Sequence, residues 1–242
     1  MGLFHFKSFS VSHHRSAMKV GVDGVLIGCW ADVPDPKRIL DVGTGCGLIA
    51  LIMAQRYSGA KITGIDIDAP SVEEAGVNVA SSKWSDRVDI IMKSFGKEFG
   101  ESDVSGEGFD LIVSNPPFFN SGLKDAATPR ELARHQSGLS PYSLLLHSKD
   151  LLTASGRVAM IIPSDEIEPV EKYASELGYQ LERKCRVRGH EGAPWKRCLL
   201  QWGKGCEADL KGYSEKCLTL ESSPGIPTDD YRSLCKDFYL KF

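Results

Sequence analysis

The chain has little that would mark a secreted, membrane-bound or metal-dependent protein. Its seven cysteines (Cys29, Cys46, Cys185, Cys198, Cys206, Cys217 and Cys235) are an odd number, and no two stand in C-x-x-C spacing. That spacing argues against a zinc ribbon and a thioredoxin-like redox pair, and it points to reduced thiols in a cytosol with no metal. No apolar run approaches the roughly 20 residues needed to span a bilayer. The first ten residues lack the apolar core of a signal peptide. Gly2 lacks the Ser or Thr four residues on that N-myristoylation requires. A net charge of −3 gives no global nucleic-acid signature, so an anionic partner must meet a local basic patch. Neither an internal repeat nor a low-complexity tract is present. These absences leave a cytoplasmic monomer, free of membrane and metal, as the expectation.

What is there is an ordinary α/β composition: 242 residues, 42% hydrophobic and 25% charged. The stretch that organises the chain is Asn115-Pro116-Pro117-Phe118. It follows Phe109-Asp110-Leu111-Ile112-Val113-Ser114, an apolar run that reads as a buried strand. Neither proline has an N–H to donate, so the strand must end at Asn115. In an open α/β sheet, ligands bind just outside the carboxyl ends of the strands. An amide side chain, a carbonyl oxygen and an aromatic face held on stiff backbone suit a flat, amine-bearing ring. The same four residues also make a rigid turn with a core Phe, and only the rest of the chain decides between the two.

A second βα unit lies upstream. The strand Arg38-Ile39-Leu40-Asp41-Val42 runs into Gly43-Thr44-Gly45-Cys46-Gly47 and then into the apolar helix 48–54. The Asp-x-Gly-x-Gly-x-Gly spacing misses the dinucleotide fingerprint G-x-G-x-x-G, which counts against an NAD-linked oxidoreductase. Asp41 can orient the loop or meet a cationic ligand, and the pattern favours a ligand with an amine and a sulfonium over a pyrophosphate. Asp66 ends the next strand, Lys61 to Asp66, about 20 residues after the glycines, the spacing at which a carboxylate reaches ribose hydroxyls. Ile67 stands beside it in the expected cofactor set. Asp68 reads as the cap of a helix over 70–82. A third strand, Arg87 to Met92, leads to Lys93-Ser94-Phe95, with Phe95 placed for the cofactor's adenine or simply in a loop. Residues 96–108 read as a polar surface loop.

Toward the ends the chain is less regular. Phe4, Phe6 and Phe9 suggest an edge strand or clamp, with core packing the plainer reading. Asp23 is placed to cap the apolar helix that follows it. Residues 119–138 carry Lys124, Arg130, Arg134 and His135 with little hydrophobic pattern, as a loop beside a site does. Ser140 and Pro141 open a helix to Leu152; strand 156–163, helix 164–177, strand 179–188 and a last strand 195–202 follow. Arg183, Lys184, Arg186, Arg188, Lys196 and Arg197 gather on the final hairpin, which is either a solvated face or a phosphate-binding one. The aromatic tail 231–242 is expected to dock on the body.

This order of strands and helices resembles the class I S-adenosylmethionine-dependent methyltransferases. Asp41 to Gly47 is similar to their cofactor loop, Asp66 to their ribose-binding acid, and Asn115-Pro116-Pro117-Phe118 to the [Asn/Asp]-Pro-Pro-aromatic motif of amino-methylating members. Three further stretches resemble the bacterial tRNA1(Val) adenine-N6-methyltransferase group. They are Phe6-Lys7-x-Phe9 with His13 and residues 17–24, Ala133-Arg134-His135, and Lys236 to Phe242. The resemblance implies a Rossmann-like fold, with a mostly parallel seven-stranded sheet, a C-terminal antiparallel hairpin and helices on both faces. One domain would span 1–242, with a cofactor lid at 1–37, a core at 38–202 and a docking tail at 203–242. The cofactor is then S-adenosyl-L-methionine, held by Lys19, Gly21, Asp23, Asp41, Gly43, Gly45, Gly47, Asp66, Ile67, Phe95 and Asn115. Catalysis falls to Asn115, Pro116, Pro117 and Phe118. The tRNA is bound by Phe118, Phe119, Arg134, His135, Arg186, Arg188, Lys196 and Arg197, and its adenine 3′ of the anticodon is methylated on N6. The chain departs from the group at Phe118, where Tyr is usual, at Val22, where Thr is usual, and at His14, often Asp. Asn-Pro-Pro-Phe also occurs in ribosomal RNA guanine-N2-methyltransferases. A protein glutamine-N5-methyltransferase and a non-catalytic cofactor- and RNA-binding module stay open as alternatives.

Overall fold

The computed structural model describes residues 2–16, 19–96, 98–100, 103, 108–117, 138–204 and 213–242. Among them, nine strands form one sheet. From one edge it begins with β5 (Val88–Met92), β4 (Lys61–Asp66), β3 (Arg38–Val42), β6 (Phe109–Ser114) and β7 (Leu152–Pro163), all parallel. Next come β9 (Arg197–Lys204), antiparallel to β7, and β8 (Tyr179–His190), antiparallel to β9. These are the seven expected strands. The sheet then continues: β10 (Ser214–Ser223) runs parallel to β8, and β11 (Ile226–Pro227) closes the edge antiparallel to β10. Hence 195–202 is not the last strand, and part of the tail is sheet. β10 shows a largely exposed pattern with no apolar alternation. It forms because the free edge of β8 offers a ladder of backbone donors and acceptors.

Strand side chains alternate between two cores, as a sheet covered on both faces requires. Ile39, Leu111, Val113, Ala159 and Ile161 face α1 (Val22–Trp30), α2 (Leu48–Arg56) and the chain termini. Leu40, Val42, Ile112, Val158, Met160 and Ile162 face α4 (Pro141–Leu151) and α5 (Ile167–Glu176). Helix α3 (Ala69–Ala80) flanks β4 and β5, and α6 (Asp229–Cys235) lies in the tail. The expected caps form at two helices. Asp68 accepts from Ser71 N, and Ser140 builds a capping box with Ser143 ahead of Pro141. Asp23 does not cap α1: the cap position is Gly21, and Asp23 lies inside the first turn. Within 96–108, Phe99 is buried against Phe109 rather than displayed on a surface loop.

The termini meet. β1 (Leu3–His5) and β2 (Ser10–Ser12) make a small hairpin. Phe6 stacks on Phe9 at 4.7 Å and on Tyr239 at 5.9 Å, and Lys7 N donates to Phe238 O. The plain reading of the N-terminal aromatics, core packing, is the one the fold adopts, and the tail docks as expected.

Candidate active site at the ends of β3, β4 and β6

Strands β3, β4 and β5 succeed one another in one direction across the sheet, while β6 and β7 go the other way. The switch point lies between β3 and β6, and a crevice opens there beyond the strand ends. Val42 and Ser114 are register partners, so Gly43 and Asn115 leave the sheet side by side. Ser114 Oγ donates to Val42 O at 2.7 Å and ties the two ends together.

The glycine loop is braced from beneath. Gly43 N and Thr44 N donate to Ile65 O, and Gly45 N donates to Asp66 Oδ2 at 2.9 Å. Asp41 is buried under the loop, where its Oδ2 accepts from Thr44 Oγ1 (2.6 Å) and from Ala50 N (3.0 Å). Burial pushes its carboxyl up to about 7, against the opposing pull of those two hydrogen bonds. Of its two expected roles, Asp41 takes the first and shapes the loop. Gly45 (φ +55°) and Gly47 (φ +81°) take backbone conformations that side chains disfavour. A Cβ at Gly47 would crowd Ala75, whereas one at Gly45 would point into open space. The loop backbone is therefore accessible at Gly45.

Asp66 is half-buried beside this space, its oxygens accepting from Gly45 N and from Asp68 N (3.0 Å). Each carboxylate oxygen has a second lone pair, so ribose hydroxyls can still donate to it. Ile67 (61% exposed) and Met92 are apolar side chains left bare at the ends of β4 and β5, as suits a flat base. Phe95 is half-buried and meets the His147 ring edge-on at 6.1 Å. At the acceptor side, Asn115 Oδ1 is buried with no hydrogen-bond partner among the described residues. An orphaned amide oxygen at this depth is costly unless something donates to it. Pro116 is buried and Pro117 half-buried next to it. Phe118, Phe119, Arg134 and His135 lie outside the described residues.

Relatives match this chain over nearly its whole length. The methyltransferase small domain family model matches residues 25–141. A tRNA1(Val) (adenine(37)-N6)-methyltransferase of Trichodesmium erythraeum is 40% identical over 241 residues, 99% of this chain and 98% of its own. Proteins of that name from Phocaeicola vulgatus and Vibrio vulnificus are 41% and 37% identical, each over 98% of this chain and 97% and 95% of their own. The chain belongs to the tRNA1(Val) (adenine(37)-N6)-methyltransferase family. Solved structures agree on the fold. A predicted O-methyltransferase of Agrobacterium tumefaciens superposes with a TM-score of 0.65 over 89% of this chain and 96% of its own, at 18% identity. A methyltransferase of Pyrococcus furiosus gives 0.54 over 74% and 81%, at 22% identity. The cofactor of this methyltransferase is S-adenosyl-L-methionine, and the open space at Gly45 with the Asp66 carboxylate beside it fits a ligand that carries hydroxyl donors.

Other expected site residues of this tRNA methyltransferase family member are engaged within the protein. Lys19 and Gly21 are exposed ahead of α1, but the Asp23 carboxylate pairs with Arg197 Nε at 2.7 Å. The basic hairpin divides. Arg183 lies over the Trp30 ring and donates to Trp30 O, and Lys184 is buried against Glu171 at 2.7 Å. Arg186 reaches Glu215 at 3.2 Å and Arg188 reaches Thr219 Oγ1 at 2.9 Å, both on β10, while Arg188 also covers the Trp195 ring. Lys196 is exposed. Sequence reading missed Thr44, which links Asp41 to the loop. It also missed Glu74 and Asn78, whose buried polar side chains on α3 carry no motif that would announce them.

Proposed function

We propose that the protein transfers the methyl group of S-adenosylmethionine to the exocyclic N6 of adenine 37 in tRNA1(Val), acting in the cytoplasm as a monomer. The observation that carries this reading is the buried Oδ1 of Asn115, without a partner among the described residues and set at a strand end beside the glycine loop. Family membership supplies the substrate.

The amino nitrogen of adenine is a poor nucleophile because its lone pair is delocalised into the ring. Asn115 Oδ1 and the Pro116 carbonyl accept its two N–H groups and draw the nitrogen toward tetrahedral geometry. The lone pair is then freed for attack, and the site works by positioning and by dipoles aimed at the developing ammonium. When bound, the cofactor supplies the electrophilic methyl. Asp66 holds its ribose, Ile67 and Phe95 its adenine, and Lys19 and Gly21 border its methionine end, over a loop that Asp41 and Thr44 keep in shape. Phe118 stacks on the substrate base once the base leaves its neighbours.

Arg186, Arg188, Lys196 and Arg197 contact tRNA phosphates, together with Phe119, Arg134 and His135. The Arg186–Glu215 pair is two-fifths exposed on both sides, and exposed pairs of this kind are worth about 0–1 kcal/mol, so a phosphate can replace the carboxylate. Among the described residues no helix is long and apolar enough to cross a membrane, and no group of His, Cys, Asp and Glu could hold a metal ion.

The test is incubation with methyl-labelled S-adenosylmethionine and unmodified tRNA, followed by digestion to nucleosides. Labelled N6-methyladenosine at position 37 is expected. Label in N2-methylguanosine, or only in protein, overturns the reading in favour of an RNA guanine or a glutamine acceptor.

A further inference from the structure

Helix α3 carries a buried carboxylate that the chemistry above does not use. Glu74 accepts five hydrogen bonds from four donors of the N-terminal segment. Its Oε1 accepts from Ser12 Oγ (2.8 Å), His14 N (2.7 Å) and Arg15 N (3.2 Å). Its Oε2 accepts from Arg15 N (3.1 Å) and Ser16 N (2.9 Å). Three successive backbone N–H groups wrapped around one carboxylate make an anion nest, filled here by the protein's own side chain. The donors outweigh the cost of burial and hold the Glu74 carboxyl below its ordinary value, so the charge persists at neutral pH.

One turn along the same helix face, Asn78 repeats the linkage and extends it. Asn78 Oδ1 accepts from Ser12 N, and its Nδ2 donates both to Ser12 O and to Cys46 O, each at 2.8 Å. Cys46 lies between Gly45 and Gly47, so one amide spans the N-terminal segment and the glycine loop. Between them, on the same face, Ala75 abuts Gly47. Val20 N donates to His13 Nδ1, and a Cβ on Gly24 would touch the side chain of Leu48, the residue after Gly47. The Asp23–Arg197 pair fixes the far end of the run.

We infer that Glu74 and Asn78 are positioning residues that clamp residues 12–16 to the cofactor loop and so set the affinity for S-adenosylmethionine. Neither touches the reacting atoms. They act through Cys46, whose carbonyl Asn78 holds. This rests on the methyltransferase reading, and its signature is a change in cofactor affinity with the chemical step retained.

The experiment compares wild type with Glu74→Gln, Glu74→Asp and Asn78→Ala. Cofactor binding is measured by calorimetry, and KM for S-adenosylmethionine is separated from kcat on tRNA. Proteolysis of the first 24 residues is followed with and without cofactor. In Glu74→Gln an NH2 group faces backbone donors, and binding is expected to weaken about 10- to 100-fold. Expected with it are a matching rise in KM, kcat at saturating cofactor within about threefold, and faster N-terminal cleavage that cofactor slows. Glu74→Asp keeps the charge and recovers part of the affinity. Asn78→Ala shows the same split at smaller size. Unchanged cofactor affinity in a folded variant overturns the inference, as does a loss confined to kcat. Should Glu74→Gln not fold, Ser12→Ala, which removes only the hydroxyl donor, decides instead: a measurable rise in KM supports the clamp and an unchanged KM sinks it. A wild-type protein that binds no S-adenosylmethionine refutes the proposed function itself, before any variant is compared.

Discussion

The two sides of the crevice are built on opposite principles. On the cofactor side the polar groups are mostly held within the protein: Asp41 Oδ2 by Thr44 and Ala50, although its Oδ1 is buried without a partner among the described residues, Asp66 by two backbone amides, the glycine loop by Ile65 O. On the acceptor side Asn115 keeps a buried oxygen with no donor among the described residues. The first side can hold its shape with nothing bound. In the function we propose, the second is completed by an N–H of the acceptor, which would favour an amine.

The sharpest break of this contrast is Asn115→Ala. Removing one positioned polar partner at a reacting centre costs about 10²–10³ in kcat, so single-turnover transfer should fall by that factor while cofactor affinity stays within about threefold. Equal losses in both would mean that Asn115 belongs to the cofactor side.

Asp41→Asn tests that other side through stability. The folded carboxyl is raised from 3.8 to about 7, so the folded chain keeps a proton that the unfolded chain sheds. Stability from this group is full below pH 4 and is lost as pH rises through 7. A shift of about three units corresponds to roughly 4 kcal/mol at most. The amide does not titrate, so Asp41→Asn should gain on wild type between pH 4 and pH 8 in urea unfolding. A difference that does not vary with pH would show Asp41 ionised throughout.

Gly45→Ala is smaller. The left-handed conformation costs a side chain about 1–2 kcal/mol of stability, and the methyl enters the open space. Calorimetry should therefore find about tenfold weaker S-adenosylmethionine binding, a larger effect than the same change produces at Gly59, a surface glycine with equally open surroundings. The least effect belongs to the rim. Reversing Arg186 and Arg188 to Glu should weaken tRNA binding several-fold at physiological salt and reduce the salt slope by about one per lost phosphate contact. An unaltered slope would put the RNA elsewhere.

Much of this crevice was legible in the sequence because its parts are local. Glycines at fixed spacing, an acid at a strand end and two prolines after an apolar run each report the backbone around them. What stayed hidden depends on partners far along the chain. Asp23 reads as a helix cap until Arg197, 174 residues away, claims its carboxylate. Glu74 looks like any helix glutamate until residues 12–16 fold over it. Arg183 and Lys184 read as part of a basic surface, but strand alternation and neighbouring elements turn one onto Trp30 and the other onto Glu171. β10 has no apolar period to find, because the edge of β8 rather than its own side chains makes it a strand.

That added edge bears on how the molecule behaves in a crowd. An exposed sheet edge is a template on which other chains polymerise. Beyond β8 the tail supplies β10, with Glu215 and Lys216 exposed on it, and then a two-residue β11 that ends on Pro227. A proline has no N–H for an incoming strand, and charges at an edge repel a flat apolar one. Cutting the chain after Lys204 would uncover the twelve-residue β8 and strip Leu218, Tyr231, Cys235 and Phe238 from the core beside it, and the expected outcome is concentration-dependent aggregation.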